Sequence, residues 1–178
     1  MINWKTISAL MLCFSCSAGA TESYEVFGGD ITYHLLDFSG DTSAYRQKIS
    51  PDGKLIYNPT YGVRYTNETD KDYWSATAFG GNNSLGYPMG GAAYTTGVKP
   101  NKYVQLGFVV GGYIQDGQPF YSLGIVPPSL GGIGTEILTP IIGAEINFKV
   151  KLTDSVFIKE SNLISFITSS FVSVGVEF

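Results

Sequence analysis

The chain has 178 residues, 44% of them hydrophobic and 14% aromatic, with 22 glycines and a formal net charge of −4. The acidic balance argues against nucleic acid as a partner, and no apolar run reaches the roughly 18 residues that a membrane-crossing helix needs. A chain this apolar without such a helix either builds an all-β core or faces lipid through alternate residues.

The first twenty residues, "MINWKTISALMLCFSCSAGA", read as a secretory signal peptide. Lys5 supplies the basic n-region, Ile7 to Phe14 the short apolar core, and Ala18-Gly19-Ala20 the cleavage site. Phe14 stands where a lipoprotein signal through Cys16 wants a small residue. Cleavage after Ala20 removes Cys13 and Cys16, so the mature chain has no disulfide and no Cys metal site. Residues 21–178 then form one domain.

Spanning β-strands need roughly ten residues with lipid-facing and lumen-facing positions alternating. Eight such segments follow in order. The first is 24–36, with Ile31, Tyr33 and Leu35 outward and Asp30, Thr32 and His34 inward. The second, 55–66, turns Tyr61, Val63 and Tyr65 outward and Gly62 and Arg64 inward. The third is 72–81 and the fourth 89–98. The fifth, 103–114, alternates most clearly: Val104, Leu106, Phe108, Val110 and Ile114 oppose Gln105, Gly107, Gly111 and Tyr113. The sixth, 141–151, sets Ala144, Ile146, Phe148 and Val150 against Glu145, Asn147, Lys149 and Lys151. The seventh is 155–161.

The last strand, 168–178, ends in "FVSVGVEF". Val172, Val174, Val176 and Phe178 share one face; Phe171, Ser173, Gly175 and Glu177 share the other. A final strand closing on a terminal Phe resembles the C-terminal signature of bacterial outer-membrane barrels. The expected fold is therefore an all-β, eight-stranded antiparallel transmembrane β-barrel in the outer membrane. Residues 67–72, 99–102 and 153–154 make short polar periplasmic turns, and 37–54, 81–88, 115–140 and 162–167 face outside the cell. Tyr73, Trp74, Tyr103 and Tyr113 suit interfacial girdles. An eight-stranded barrel is filled by side chains or holds one slim ligand, so a diffusion pore is not expected.

Within that frame His34 is either a polar plug in the lumen or a general base near the outer rim. Ser84, after the third strand, lies at the same end and could be the hydroxyl it activates. Asn82 and Asn83 stand beside it, and an amide there could orient the imidazole or donate to an oxyanion. His34 on the first strand, Ser84 fifty residues later, "YPMGG" (87–91), "YNPTYG" (57–62) and "VQLGFVVGGY" (104–113) together resemble the outer-membrane lipid A palmitoyltransferase family and related small barrels. The resemblance covers roughly residues 30–115.

It implies transfer of an acyl chain from phospholipid to lipid A, with His34, Asn83 and Ser84 as catalytic residues and no cofactor or metal. Asn83 stands where the family has an Asp, and an amide cannot offer an imidazolium a full charge. The family's leading amphipathic helix is also missing here, and 115–140 is longer than its counterpart. An acyl slot should be apolar toward the outside, as Val109, Gly111 and Tyr113 suggest, above inward charges Arg64, Lys149, Lys151 and Glu177. A non-catalytic barrel with a structural, adhesion or binding role through its external loops fits the same residues. Expected partners are phospholipid, lipopolysaccharide and the barrel-assembly machinery, with the protein a monomer.

Overall fold

The computed structural model describes residues 20–34, 47–48, 55–83, 88–116, 136–165 and 167–178. Its strands are β1 (Thr21–His34), β2 (Gln47–Lys48), β3 (Leu55–Glu68), β4 (Asp72–Asn82), β5 (Pro88–Asn101), β6 (Val104–Asp116), β7 (Glu136–Lys151), β8 (Val156–Ile164) and β9 (Ile167–Glu177). Apart from the two-residue β2, which pairs antiparallel with β3 at Tyr57 and Ile56, eight antiparallel strands pair each with the next. β1 pairs with β9 on one side and β3 on the other, which closes the barrel. Closure leaves no sheet edge, as a bilayer requires.

Three short turns lie at one end, and each is held by a side-chain oxygen. Thr69 Oγ1 accepts from the Lys71 and Asp72 N–H groups, Asn101 Oδ1 from Tyr103 and Val104, and Thr153 Oγ1 from Ser155 and Val156. Such local bonds are what make Asn and Thr good turn formers. Phe178 N–H donates to Glu22 O at the same end, so both ends of the barrel chain sit there.

The period-2 alternation holds along most of each strand, breaking at the β1 bulge and at the end of β3, and it is inverted relative to a water-soluble protein. Tyr61, Val26 and Phe108 are 65%, 62% and 56% exposed, whereas Lys159 and Asn147 are 1% and 0% exposed. An apolar outside and a polar inside on an even number of strands is the architecture of an outer-membrane barrel. Around the short-turn end Phe178, Tyr24, Tyr65, Trp74 and Tyr94 follow one another, edge to face, tilted or (Trp74 on Tyr94) stacked, with ring centroids 5.2–6.1 Å apart. This is the girdle the sequence suggested, with a different membership. Trp74 belongs to it and Tyr103 is exposed beside it, but Tyr73 is buried in the lumen. Consecutive residues of a strand cannot share a face, so Tyr73 and Trp74 had to part. Tyr113 also faces inward, against Phe79.

Strand ends account for the other differences. β7 begins at Glu136 rather than 141, because β6 runs out to Asp116 and supplies a pairing partner that far. β5 continues to Asn101, where the hairpin closes on Val104. Among the described residues, two glycines have a positive φ that other residues rarely adopt. Gly29 (φ 79°) sits in the bulge where β1 slips register against both neighbours, and Gly81 (φ 135°) packs against Pro59 O.

Candidate functional site: the lumen and its outer rim

The lumen is built in layers. Nearest the short turns, Lys149 bridges Glu68 (3.0 Å) and Glu177 (2.5 Å), Lys99 reaches Glu68 (3.0 Å), and Lys151 pairs with Glu177 from the rim. Lys151 is 58% exposed, so it caps the mouth rather than filling the lumen as its parity suggested. Gln105 Nε2 donates to Glu68 Oε2 at 2.7 Å and joins Asn147 to this layer. Lys149 Nζ also lies 4.3 Å from the Phe157 ring centroid, a cation–π contact under complete burial.

The next layer holds two buried ion pairs. Arg64 Nη2 meets Glu145 Oε1 at 2.7 Å, while its Nε donates to Thr77 and its Nη1 to Ser161. Lys159 pairs with Glu25, which also accepts from Thr66 (3.1 Å) and Ser173 (2.8 Å). Buried charges are far less costly when paired and hydrogen-bonded, and both pairs here are, although Glu145 Oε2 has no hydrogen-bond partner. Above them Phe27 and Phe171 stack with centroids 4.6 Å apart, and the Arg64 guanidinium lies 5.3 Å from the Phe171 ring.

Beyond this aromatic partition, toward the long-segment end, the lumen turns polar again. Asn58 Nδ2 donates to Thr32 Oγ1 (2.5 Å) and Asp30 Oδ2 (3.3 Å), Thr32 Oγ1 donates to Asp30 Oδ2 (3.1 Å), and Thr32 and Ser169 share a hydrogen bond of 3.1 Å. Asp30 is the one buried carboxylate without an ion pair among the described residues, and its Oδ1 has no hydrogen-bond partner. On the other wall Asn83 Nδ2 donates to Gln115 Oε1, whose Nε2 donates to Thr139 Oγ1.

The sequence-based site residues stand as follows. His34 is the last residue of β1, with its backbone opposite Ile167; its side chain lies outside the described part of the structure. Asn83 follows β4 directly and is buried, with Gln115 as its hydrogen-bond acceptor. Ser84 lies outside the described residues. The expected gradient, apolar outside and polar below, is not what the wall carries. Val109 and Ile56 are buried apolar residues, but Asp30, Thr32, Asn58, Ser169, Asn83 and Gln115 occupy the same half of the lumen. Asn58 shares the parity of Arg64 and Ser169 that of Ser173, so alternation would have revealed both. Gln115 required knowing that β6 extends past 114.

No family model matches the chain, and no curated protein matches it. Among solved structures, Ail of Yersinia pestis is 13% identical, with 90% of this chain and 99% of that chain covered at a TM-score of 0.43. The N-terminal β-barrel domain of Pseudomonas aeruginosa OprF is 12% identical (89% and 97% covered, TM-score 0.43). Neisserial surface protein A is 9% identical (89% and 97% covered, TM-score 0.45). At these scores the likenesses carry no argument, and the barrel rests on its own strand pairing.

Proposed function

We propose that this protein is a non-catalytic outer-membrane barrel whose filled, rigid wall holds the long stretches between β1 and β3 and between β6 and β7 at the cell surface for binding. The observation that supports this reading most is the outer half of the lumen. A hydrocarbon slot needs a dry apolar wall, because unpaired buried polar groups are costly. Here a carboxylate, two hydroxyls and an amide bond one another across β1, β3 and β9. In this reading the barrel is a monomer, inserted by the barrel-assembly machinery and surrounded by phospholipid and lipopolysaccharide.

One observation favours acyl transfer to lipid A as a second reading. His34 ends β1 and Asn83 follows β4 at the same end of the barrel, with only β3 between these strands. There His34 would be the base, Ser84 the activated hydroxyl and Asn83 the orienting amide. Mass spectrometry of lipid A from cells with and without the protein separates the two. Unchanged lipid A is expected; a species carrying an added acyl chain, lost in Ser84→Ala, overturns the non-catalytic reading.

A further inference from the structure

The outer wall is apolar almost everywhere, which makes one interruption informative. Glu160, in the middle of β8, is exposed on the lipid face. Among the described residues it is the one charged side chain on that face away from the strand ends. It is not alone. Asn162 Nδ2 donates to Glu160 Oε1 (3.4 Å), and Ser170 Oγ donates to Asn162 Oδ1 (2.5 Å). Thr168 continues the streak toward the tip of the β8–β9 hairpin.

The cross-strand rows show how local the interruption is. One row reads Ile146, Asn162, Ser170, Ile31 and Tyr57 across β7, β8, β9, β1 and β3. The row above reads Ala144, Ile164, Thr168 and Tyr33. Apolar residues flank the streak on both sides at the same register, and on β7 they continue outward through Ile142 and Leu138. β8 stops at Ile164, opposite Ala144, while β7 continues to Glu136. Among the described residues the wall is therefore polar along the β8–β9 seam, with β8 ending short of β7.

Depth follows from strand geometry. Glu160 is four residues beyond Val156, roughly 13 Å along the strand. At a tilt near 40° that is about 10 Å into an apolar band about 25 Å tall. A lone carboxylate near mid-depth is tolerated when water and thinned bilayer reach it. The wall is also irregular there: β1 slips register against β9 between Phe27 and Asp30, and the exposed Gly28 presents no side chain to the lipid. On the lumen side of the same stretch of β9, Ser169 belongs to the polar cluster around Asp30.

We infer that the β8–β9 seam, through Glu160, Asn162, Ser170 and Thr168, draws lipid headgroups and water of the outer leaflet down to about mid-depth, so that the bilayer is thinned on this side of the barrel. Carboxylate, amide and hydroxyls match hydrated headgroups, and the flanking isoleucines match acyl chains.

Spin labels report this directly, since the chain has no cysteine after Cys16. Asn162→Cys and Ser170→Cys, with Ile146→Cys and Ile31→Cys as flanking references, are labelled in the full barrel reconstituted in phospholipid vesicles. A folded barrel is verified by its heat-shifted gel mobility. Labels at 162 and 170 should collide with a water-soluble nickel chelate several-fold more often than those at 146 and 31, which should favour oxygen. A label at Val172, the apolar partner of Glu160 across the β8–β9 pair, should show the same nickel access and lose it when Glu160→Leu, Asn162→Leu and Ser170→Val are added. Oxygen-dominated collisions at 162 and 170 equal to the references would overturn the inference. So would labels shielded from both reagents, which would mean that a protein covers the seam, or references that are not in lipid at all.

Discussion

At the scale of single residues, Lys159 and Glu25 offer the sharpest test of how the lumen is held. Both are almost fully buried, and Glu25 accepts from Thr66 and Ser173 as well. Lys159→Met removes the cation and leaves the buried carboxylate without its ion-pair partner, which should cost about 3–5 kcal/mol. Glu25→Gln together with Lys159→Met removes both charges and should recover most of that loss. Equilibrium urea unfolding in lipid vesicles, read by gel mobility, measures both; additive losses in the double variant would rule the pairing out as the source. The rim residues have a different test. In the non-catalytic reading Ser84→Ala should be silent, within about 0.5 kcal/mol, and Asn83→Asp should produce no acylated lipid A. If Asn83→Asp does produce it, a carboxylate has restored charge support for His34 and the acyl-transfer reading stands.

At the scale of elements, two glycines in neighbouring strands separate backbone strain from packing. Gly81 in β4 has φ 135°, and a Cβ there would lie 2.2 Å from Pro59 O. Gly90 in β5 meets nothing closer than 3.8 Å. Gly81→Ala should therefore destabilise by about 1–3 kcal/mol, while Gly90→Ala should be neutral within a few tenths. Equal unfolding midpoints for the two variants would mean that β4 can move away from Pro59 at no cost. The sequence revealed the elements well because alternation is the signal a barrel wall must carry. "FVSVGVEF" and "VQLGFVVGGY" placed β9 and β6 within two residues of their observed ends. It showed the candidate site poorly. Asp30 could be placed inward, but its lack of a cation depends on which residues of β3 and β9 face it. That depends on register, which the bulge at Gly28–Asp30 shifts. The Tyr73–Trp74 pair shows the other limit: counting aromatics near a strand end does not replace parity.

At the scale of the whole molecule, the layers of the lumen act in series. The Lys149 network, the Arg64–Glu145 and Lys159–Glu25 pairs, the Phe27–Phe171 stack and the Asp30 cluster each block the same narrow path. An eight-stranded barrel is only just wide enough to hold such side chains. Wild-type protein in planar bilayers should therefore show no steady ion conductance. Because the layers are in series, removing one leaves the others closed, so Arg64→Ala should also be silent even though it destabilises the barrel. Phe27→Ala and Phe171→Ala added to Arg64→Ala remove two adjacent layers and the cation–π contact between them. That triple variant, if its gel mobility shows it folded, still carries the Lys149 network, the Lys159–Glu25 pair and the Asp30 cluster, so it too should show no conductance steps. Ohmic steps from wild type or from Arg64→Ala alone would mean that the lumen is not filled as described, and would return the protein to the class of channels.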